Sequence, residues 1–531
     1  MTNTRRYQLL TSLVALMALM GTESQAAPQV PRLVVNIVID QLRTDYMESF
    51  SQYYGENGFR RLINQGRVYD QVEYPFASTD RASAIATLMS GATPYEHGIV
   101  AQKWLDRSTL QPRQCVDDNS FAPTSTSDNG SASNLAVSTI ADELKVAHAG
   151  RSLVYSIAPF RDAAILSAGH AADGAFWIDN NSGRWTTTSY YAGTPQWLTN
   201  YDAVAPTSVR IDKAVWEPLM PEEEEERTRS RHKTKVKSRN FKYPFKGSAR
   251  YFDFKTCALV NEEVSRLAVH CINEGGMGAD EVTDMLNLTY YAGNYQHATA
   301  SEKPQELKDI YLRLDKTLGA IIDSIQGRIG ADNVLFVMTS TGYADEHASD
   351  LSAYRVPTGT FSISKAQLLL NMYLVAVYGE GQYVEACLDN QLYLDQKLIE
   401  RRGLNLAELL ERSQDFLIQM AGVRDVYTSR RLALASADRL VSRIRNGYNP
   451  RCSGDILLKV APGWHLVNEN TQDDHIIRDS YLSFPLYFFG ANVTPEKVAT
   501  PVTVDQIAPT IAKAIRIRAP NGCGSMPLAL N

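Results

Sequence analysis

The residues best suited to chemistry follow apolar runs that are typical of buried strands. Asp40 follows the run 33–39, and the segment 340–342 (Ser-Thr-Gly) follows the run 334–338. In α/β proteins with a parallel sheet, ligands bind at the carboxyl ends of the strands. We therefore expect Asp40 and the segment 340–342 to border a functional cleft.

A second group of polar residues lies just beyond this segment. Asp345, Glu346, His347 and Asp350 offer oxygen and nitrogen ligands for a displaced metal site, although a helix start or an exposed acidic loop explains them more simply. Ser340 is also a possible nucleophile by residue type. It lacks the Gly-x-Ser-x-Gly turn that exposes a catalytic serine after a strand.

The elements that must position these residues follow an alternating pattern. The apolar strand-like runs are 33–39, 152–157, 334–338 and 486–489, and helical patterns such as 307–325 and 507–517 separate them. This alternation predicts an α/β fold in which helices cover both faces of a mostly parallel central sheet, forming a three-layer sandwich.

Two segments predict insertions into that sandwich. The first, at about 177–254, is rich in Tyr, Trp, Thr and Pro, and it contains an acidic run, 222–226, followed directly by the basic run 227–237. Adjacent blocks of opposite charge are typical of a solvated loop, with contact to an acidic partner or anionic surface as the alternative. The second, at about 368–444, has helical periodicity at 404–421 and predicts a cap or side domain.

Composition excludes several classes of protein. The 531 residues are 44% hydrophobic and 21% charged, which is ample for a large packed core. The net charge of -6 offers no concentrated basic face for a phosphate backbone, so we expect no nucleic-acid partner.

The first 26 residues predict a signal peptide. Arg5 and Arg6 precede the apolar run Leu9 to Met20, and small residues precede Ala27. The run is shorter than the roughly 20 residues that span a bilayer. We therefore expect a mature chain of residues 27–531, periplasmic or secreted, with no transmembrane segment. In that oxidising space the six cysteines permit one to three disulfides, and Cys257 and Cys271 are the nearest pair.

Several stretches in a fixed order carry a resemblance to a known family. They are 38–43 (Val-Ile-Asp-Gln-Leu-Arg), 90–99, 164–170, 311–316, 453–455 with 462–464, and 505–510 with 520–522. In these stretches the chain resembles the alkaline phosphatase superfamily, which includes the type I phosphodiesterases and nucleotide pyrophosphatases. It is most similar in pattern to bacterial periplasmic phosphomonoesterases that use a threonine nucleophile and two zinc ions. The resemblance covers nearly all of the mature chain and implies an alkaline-phosphatase-like fold.

The resemblance also implies which residues occupy the family's metal positions. The first aspartate falls on Asp40, and the Asp-x-x-x-His pair falls on Gly293 and His297. The adjacent Asp-His pair falls on Thr341 and Gly342, so both of its ligands are replaced. The last histidine is out of register, and Asp474 lies near its place. Asp40, His297 and Asp474 are thus the remnant metal positions.

The positions that the family uses for catalysis and phosphate binding are also replaced. The nucleophilic threonine falls on Arg81, and Thr79 or Ser78 would replace it only if the loop were shifted by two or three residues. The Lys-x-Arg pair falls on Phe160 and Asp162, and the asparagine falls on Gln102. At a distance of a few ångströms, a desolvated Asp162 would repel a phosphate dianion by roughly several kcal/mol.

Three hypotheses follow. The first is a catalytically inactive descendant, without a cofactor, that binds an envelope protein or a ligand through the cleft or the cap. The second is a zinc-dependent phosphatase, phosphodiesterase or sulfatase-like hydrolase with a rearranged site built from Thr79, Asp40, His297 and Asp474. The third is a structural envelope component whose contacts run through the insertion at 177–254.

Overall fold

The computed structural model describes residues 29–123, 128–221, 228–229, 232–233, 240–345, 358–434, 438–477 and 482–531. The predicted signal peptide lies outside the described residues, as do nearly all of the charged runs within 222–237. Glu346, His347 and Asp350 of the possible displaced metal site also lie outside them.

The described strands are β1 (Leu33–Asp40), β2 (Arg67–Tyr69), β3 (Val72–Glu73), β4 (Lys103–Asp106), β5 (Gln111–Gln114), β6 (Val154–Ile157), β7 (Gly174–Ile178), β8 (Trp185–Thr186), β9 (Val215–Trp216), β10 (Thr228–Arg229), β11 (His232–Lys233), β12 (Tyr243–Pro244), β13 (Asp284–Tyr291), β14 (Val334–Ser340), β15 (Thr360–Ser362), β16 (Val384–Leu388), β17 (Gln391–Leu394), β18 (Val423–Thr428), β19 (Ile456–Val460), β20 (His465–Asn468), β21 (Asp473–Ile476), β22 (Leu486–Gly490), β23 (Glu496–Val498) and β24 (Val502–Thr503).

The described α-helices are α1 (Thr44–Phe50), α2 (Phe59–Gln65), α3 (Arg81–Ser90), α4 (Pro94–His97), α5 (Ile140–Ala147), α6 (Arg161–Ala168), α7 (Gln196–Val204), α8 (Thr207–Lys213), α9 (Arg250–Lys255), α10 (Leu259–Gly275), α11 (Pro304–Ile329), α12 (Ile363–Tyr378), α13 (Gln396–Arg401), α14 (Leu406–Leu417), α15 (Ser429–Ala433), α16 (Arg439–Asn446) and α17 (Ile507–Ala514).

A nine-stranded sheet forms the centre of the molecule, in the order β23-β2-β22-β14-β1-β13-β6-β7-β8. The five strands from β14 to β7 run parallel, and β22 and β8 pair antiparallel beside them. All eight residues of β1 are buried, because helices cover both faces of the sheet. The predicted α/β fold with a mostly parallel sheet is therefore confirmed.

The register of the parallel strands places three carboxyl ends side by side. Asp40 at the end of β1 pairs with Tyr291 at the end of β13, and Ile39 pairs with Ser340 at the end of β14. Residues that follow these strands therefore emerge at one edge of the sheet. The amino ends of α3 and α6 meet at the same edge, as the contacts below show.

A side domain with its own core lies between β14 and β22 in the chain. Its four-stranded sheet has the order β16-β17-β19-β18, and α12 and α14 pack on one another and on that sheet. Buried apolar side chains between Phe361 and Leu466 form a cluster separate from the core of the central sheet. The side domain can therefore change its outer surface without disturbing the central strands.

The six cysteines are free thiols, in contrast to the expectation of one to three disulfides. Cys257 precedes α10 and Cys271 lies 14 residues further along that helix. At a rise of 1.5 Å per residue they are about 20 Å apart, far more than a disulfide can bridge. Proximity in sequence was misleading because a helix separates the pair. Within the described part of the chain, no helix is both long enough and apolar enough to cross a membrane.

Candidate functional site

Helix α3 brings Arg81 to the strand-end cleft. Asp80 caps the helix by accepting a hydrogen bond from the Ser83 backbone N–H at 2.9 Å, and Ser83 Oγ contacts the same carboxylate at 2.8 Å. Nine of the ten residues of α3 are buried, which fixes the helix against the core. Arg81 is thus the first residue of a rigidly held helix. Thr79 lies outside the helix, in the loop that precedes Asp80.

The guanidinium of Arg81 joins two carboxylates from different parts of the chain. Its Nη1 lies 3.3 Å from Asp40 Oδ2, and its Nε lies 3.0 Å from Asp162 Oδ2 and 3.2 Å from Asp162 Oδ1. Asp162 is the second residue of α6, so the bridge ties β1, α3 and α6 together. The Asp40 side chain is 1% exposed, and those of Arg81 and Asp162 are 13% and 14% exposed.

The second oxygen of Asp40 is also occupied. The Thr341 hydroxyl donates to Asp40 Oδ1 at 2.9 Å, and its oxygen accepts a hydrogen bond from the Gln41 backbone N–H at 2.9 Å. Both carboxylate oxygens of Asp40 therefore have partners within the protein. Thr341 is completely buried, so these contacts are shielded from water.

Burial and charge oppose one another in this network. Burial raises the pKa of Asp40, and the charge of Arg81 and the hydrogen bond from Thr341 partly offset that rise. Burial alone would lower the pKa of Arg81, but the charges of Asp162, Tyr343 and Asp40 and the hydrogen bond to Asp162 together outweigh it and raise the pKa well above its usual value. Arg81 therefore keeps its positive charge, on which the ionised form of Asp40 depends.

The structure gives Asp162 a counter-charge. Arg81 approaches both of its carboxylate oxygens, but the same guanidinium also contacts Asp40, so one positive charge faces two carboxylates. The sequence held a signal for this contact. The resemblance assigns both residues to one phosphate-binding site, where opposite charges would meet.

A buried lysine that sequence reasoning had not singled out also borders the network. The Arg81 guanidinium carbon lies 4.0 Å from the centre of the Phe160 ring, and Lys255 Nζ lies 4.9 Å from it. Lys255 donates a hydrogen bond to the carbonyl of Ile178 at 3.1 Å. Burial, with a smaller contribution from Arg81, lowers the pKa of Lys255 to about 7. The ring of Phe160 thus contacts both cationic side chains, and the pKa of one of them, Lys255, is lowered.

The three remnant metal positions have three different sets of partners. His297 Nδ1 lies 3.1 Å from Asp345 Oδ2, and the hydrogen bond to Asp345 raises the pKa of His297. The backbone N–H of Asp345 donates to the side chain of Gln41, so His297 is linked to the strand-end cleft. Asp474 lies on β21 of a separate three-stranded sheet, and its Oδ1 is 2.9 Å from His465 Nδ1. Their roles as metal ligands remain predictions.

The donor set does not fit the two zinc ions that the resemblance implies. Zinc in proteins is held by several Cys, His, Asp or Glu side chains. Thr341 and Gly342 supply only a hydroxyl at positions where a carboxylate and an imidazole are required, and a cation at Asp40 would lie beside the charge of Arg81. Within the described ranges, no group of three or more such side chains is arranged to hold a metal.

Comparison with known proteins gives the chain's relatives. The model of the family "Type I phosphodiesterase / nucleotide pyrophosphatase" matches residues 34–483. The chain is 26% identical over 535 residues to alkaline phosphatase PafA of Elizabethkingia meningoseptica, covering 98% of each protein. It is 28% identical over 517 residues to alkaline phosphatase PhoV of Synechococcus elongatus, covering 93% of this chain and 91% of PhoV.

The structure is similar to the crystal structure of alkaline phosphatase PafA, with a TM-score of 0.80 at 27% identity. The superposition covers 95% of this chain and 99% of that one. The match extends through the side domain as well as the central sheet. The chain therefore belongs to the type I phosphodiesterase/nucleotide pyrophosphatase family of the alkaline phosphatase superfamily.

Proposed function

We propose that this chain is a catalytically inactive member of its family that acts as a binding or assembly protein in the cell envelope. The observation that carries the proposal is the bridge from Arg81 to Asp40 and Asp162. An arginine side chain has no nucleophilic oxygen, and its guanidinium does not lose its proton in proteins. It therefore supplies neither the nucleophile nor a metal ligand at the place where the family needs both.

The surroundings of Arg81 support the same function. The side-chain oxygens of Asp40 already contact Arg81 and Thr341, and the guanidinium of Arg81 lies over the Phe160 ring. Catalysis of phosphoryl transfer depends on preorganised donors aimed at the reacting group. Here the donors of Arg81 are directed at the protein's own carboxylates. The export predicted from residues 1–26 is the ground for placing the protein in the envelope.

A second candidate function is a phosphoester hydrolase with a rearranged, metal-dependent site. What favours it is the similarity to two proteins named alkaline phosphatases over more than nine-tenths of the chain. Such an enzyme would need a nucleophile other than the residue at position 81. Thr79 is the candidate of suitable type, and Asp40, His297 and Asp474 would be its metal ligands.

One experiment separates the two functions. The protein is purified without chelator, its zinc content is measured by inductively coupled plasma mass spectrometry, and turnover of p-nitrophenyl phosphate and bis(p-nitrophenyl) phosphate is assayed with added zinc. The Asp40→Ala and Thr79→Ala variants are matched controls, and PafA is the positive control. We expect near-absent zinc and the same background rate in all three forms of this chain.

The outcome that overturns the proposal is equally definite. One or two equivalents of zinc, together with turnover that is lost in Asp40→Ala, would show a working enzyme. A further loss in Thr79→Ala would assign its nucleophile.

A further inference from the structure

A pocket lies where the side domain meets helix α4 of the central domain. Its volume is about 450 Å³, and it is open to solvent on one side. The side domain supplies most of the wall from α14, α15 and the loop after α16, and Tyr95 of α4 completes it. Pockets of roughly 300–1,000 Å³ bind small molecules. The cleft residues Asp40, Arg81 and Asp162 do not line it, so it is a separate feature.

Contacts between the two domains hold the wall of this pocket in place. Asn449 is buried, and its side-chain amide donates hydrogen bonds to the backbone carbonyls of Tyr95 at 2.9 Å and of Pro94 at 3.4 Å. Thr428 caps α15 by accepting a hydrogen bond from the Arg431 backbone N–H at 3.2 Å. The wall is therefore formed without a ligand, which reduces the entropy lost when a ligand binds.

Much of the wall is apolar. Leu406, Leu410 and Leu432 contribute alkyl groups, and Tyr95 and Tyr448 contribute aromatic rings. Leu410, Leu432 and Tyr448 are buried, and burial raises the pKa of Tyr448 to about 12. Leu406 and Tyr95 are 37% and 50% exposed, so apolar surface of the wall remains in contact with water. A hydrocarbon chain that covered this surface would bind favourably.

Arg430 is the one charged residue among the described residues of the wall. The neighbouring Arg431 pairs with Asp425 at 2.7 Å, whereas within the described ranges the side chain of Arg430 has neither an ion pair nor a hydrogen bond. The carboxylate of Asp455, whose charge acts on the pocket residue Tyr448, already pairs with Arg107 at 3.1 Å. The pocket thus combines an apolar wall with one available cation.

The sequence around Arg430 adds further positive charge. Between positions 424 and 451 the chain has seven arginines and two aspartates, although the whole protein has a net charge of -6. A local excess of one charge raises the concentration of ligands of the opposite charge. A guanidinium also binds a carboxylate through two parallel hydrogen bonds. The charge of the pocket therefore favours a ligand with an anionic head.

We propose that this pocket binds a small anionic amphiphile, namely a carboxylate with a single unbranched alkyl chain. The chain lies against the leucines of the wall, and the carboxylate pairs with Arg430. A volume of about 450 Å³ is near the lower end of the range for ligand pockets, so one chain fits better than the two chains of a phospholipid. The site is separate from the strand-end cleft, so the proposal stands or falls independently of the proposed loss of catalysis.

The first test is the dependence of affinity on chain length. Hexanoate, octanoate and decanoate are titrated into the purified chain at neutral pH, and binding is measured by isothermal titration calorimetry. Each added methylene should tighten binding by about two- to fourfold, because it transfers apolar surface from water to the wall of the pocket. Decanol, which has the same chain length without the charge, is the matched ligand.

The second test separates the charge from the apolar wall. Arg430→Gln should weaken the binding of decanoate by about fivefold and leave that of decanol unchanged, because an exposed ion pair contributes modestly. Ala407 lines the pocket from α14 and is partly exposed, so Ala407→Phe should fill the pocket and weaken both ligands by at least about tenfold. Arg401→Gln is the control, since Arg401 is exposed on α13 and does not line the pocket.

Any of three results would overturn the proposal. The first is an unmodified chain that does not bind decanoate, or that binds all three carboxylates equally well. The second is binding of decanoate that persists unchanged in Arg430→Gln. The third is binding to phosphatidylglycerol vesicles without binding of free decanoate, which would make this surface a membrane contact. Circular dichroism shows whether each variant folds, and Arg430→Gln decides the outcome if Ala407→Phe does not.

Discussion

The strand-end cleft and the side domain differ in where their side chains direct their interactions. In the cleft, the charged groups of Asp40, Arg81 and Asp162 contact one another, and Thr341 completes the set. On α12 of the side domain, apolar side chains such as that of Leu369 are exposed. The charged groups of the cleft thus have partners within the protein, whereas the exposed apolar side chains of α12 face away from their own domain.

The comparison shows that a fold can be retained while the residues at the ends of its strands differ. The parallel strands hold the cleft in place whatever the identities of the residues at their ends, so ligands can be replaced without loss of the sheet. The side domain has a separate core, so its outer surface can change independently. Three predictions test this contrast between the cleft and the side domain. They are given in order of the expected change in the free energy of unfolding, from the largest to the smallest.

The largest effect is expected for Arg81→Ala. Removal of the guanidinium leaves the buried carboxylate of Asp40 without its counter-charge, which should lower the free energy of unfolding by about 3–5 kcal/mol at pH 8. Because protonated Asp40 needs no counter-charge, the loss should be smaller at pH 5. Urea denaturation at the two pH values measures both quantities.

The control is Arg61→Ala. Arg61 is 19% exposed, but its partner Asp323 is 53% exposed, so that loss should stay below about 1 kcal/mol. In addition, Asp40→Asn should recover part of the stability lost in Arg81→Ala. Equal effects for Arg81→Ala and Arg61→Ala would show that the cleft network is no more than a surface ion pair.

The two sides of α12 provide the second test. Leu370 is fully buried, so Leu370→Ala should lower the free energy of unfolding of the side domain by about 3 kcal/mol. Leu369→Ala, one residue earlier on the exposed side, should change it by less than about 0.5 kcal/mol. Hydrogen exchange measures the free energy of unfolding of the side domain in both variants.

If Leu370→Ala and Leu369→Ala lowered the free energy of unfolding of the side domain equally, both sides of α12 would belong to a core. The side domain would then not differ from the cleft in the way described above. Protection of amides in β1 and β13 should change little in either variant. That comparison shows whether the two cores are energetically separate.

The smallest of the three effects is a loss of free energy of unfolding at acid pH, caused by the buried side chain of His97. His97 is fully buried, its Nε2 is 3.0 Å from Thr87 Oγ1, and its Nδ1 accepts a hydrogen bond from the Ile99 backbone N–H at 3.0 Å. Burial lowers the pKa of His97 to about 3. The unfolded chain takes up a proton below its ordinary pKa of about 6.5, whereas the folded chain does not.

Stability from neutral His97 is therefore fully present above about pH 6.5 and is lost as the pH falls toward 3. Between pH 7 and pH 5 the loss should be about 2 kcal/mol, and it should be absent in His97→Gln. Thermal unfolding of both forms at the two pH values is the measurement. The same pH dependence in both forms would assign the acid sensitivity to other groups.

Much of the fold was predictable from the sequence. The apolar run 33–39 became β1, the run 334–338 became β14, and the helical pattern 307–325 lies within α11. These predictions succeeded because a strand buried on both faces must be apolar along its length and is bounded by polar residues. The position of Asp40 at a strand end followed from the same pattern.

The candidate site was predictable only in part. The resemblance assigned the replaced positions, including Arg81 and Asp162, but not the contact between these two residues, which are 81 positions apart. Disulfides were expected from cysteine number and compartment, yet the helix between Cys257 and Cys271 keeps that pair apart. Ion pairs and disulfides between residues far apart in the chain depend on distances in the folded protein, which local sequence patterns do not give.

The sequence by itself determined the mostly parallel sheet and its strands, because these depend on apolar periodicity, and its resemblance to the family implied the replacement of the nucleophile and of most ligands. Only the tertiary structure decided that Arg81 bridges the carboxylates of Asp40 and Asp162, and that Leu368, Leu369 and Met372 of α12 are exposed. Apolar residues occur on both the buried and the exposed side of α12, so the pattern could not show which side the core would cover. In the folded protein, α14 and the four-stranded sheet pack against the side of α12 that carries Leu370 and Leu374, and this leaves the other side exposed.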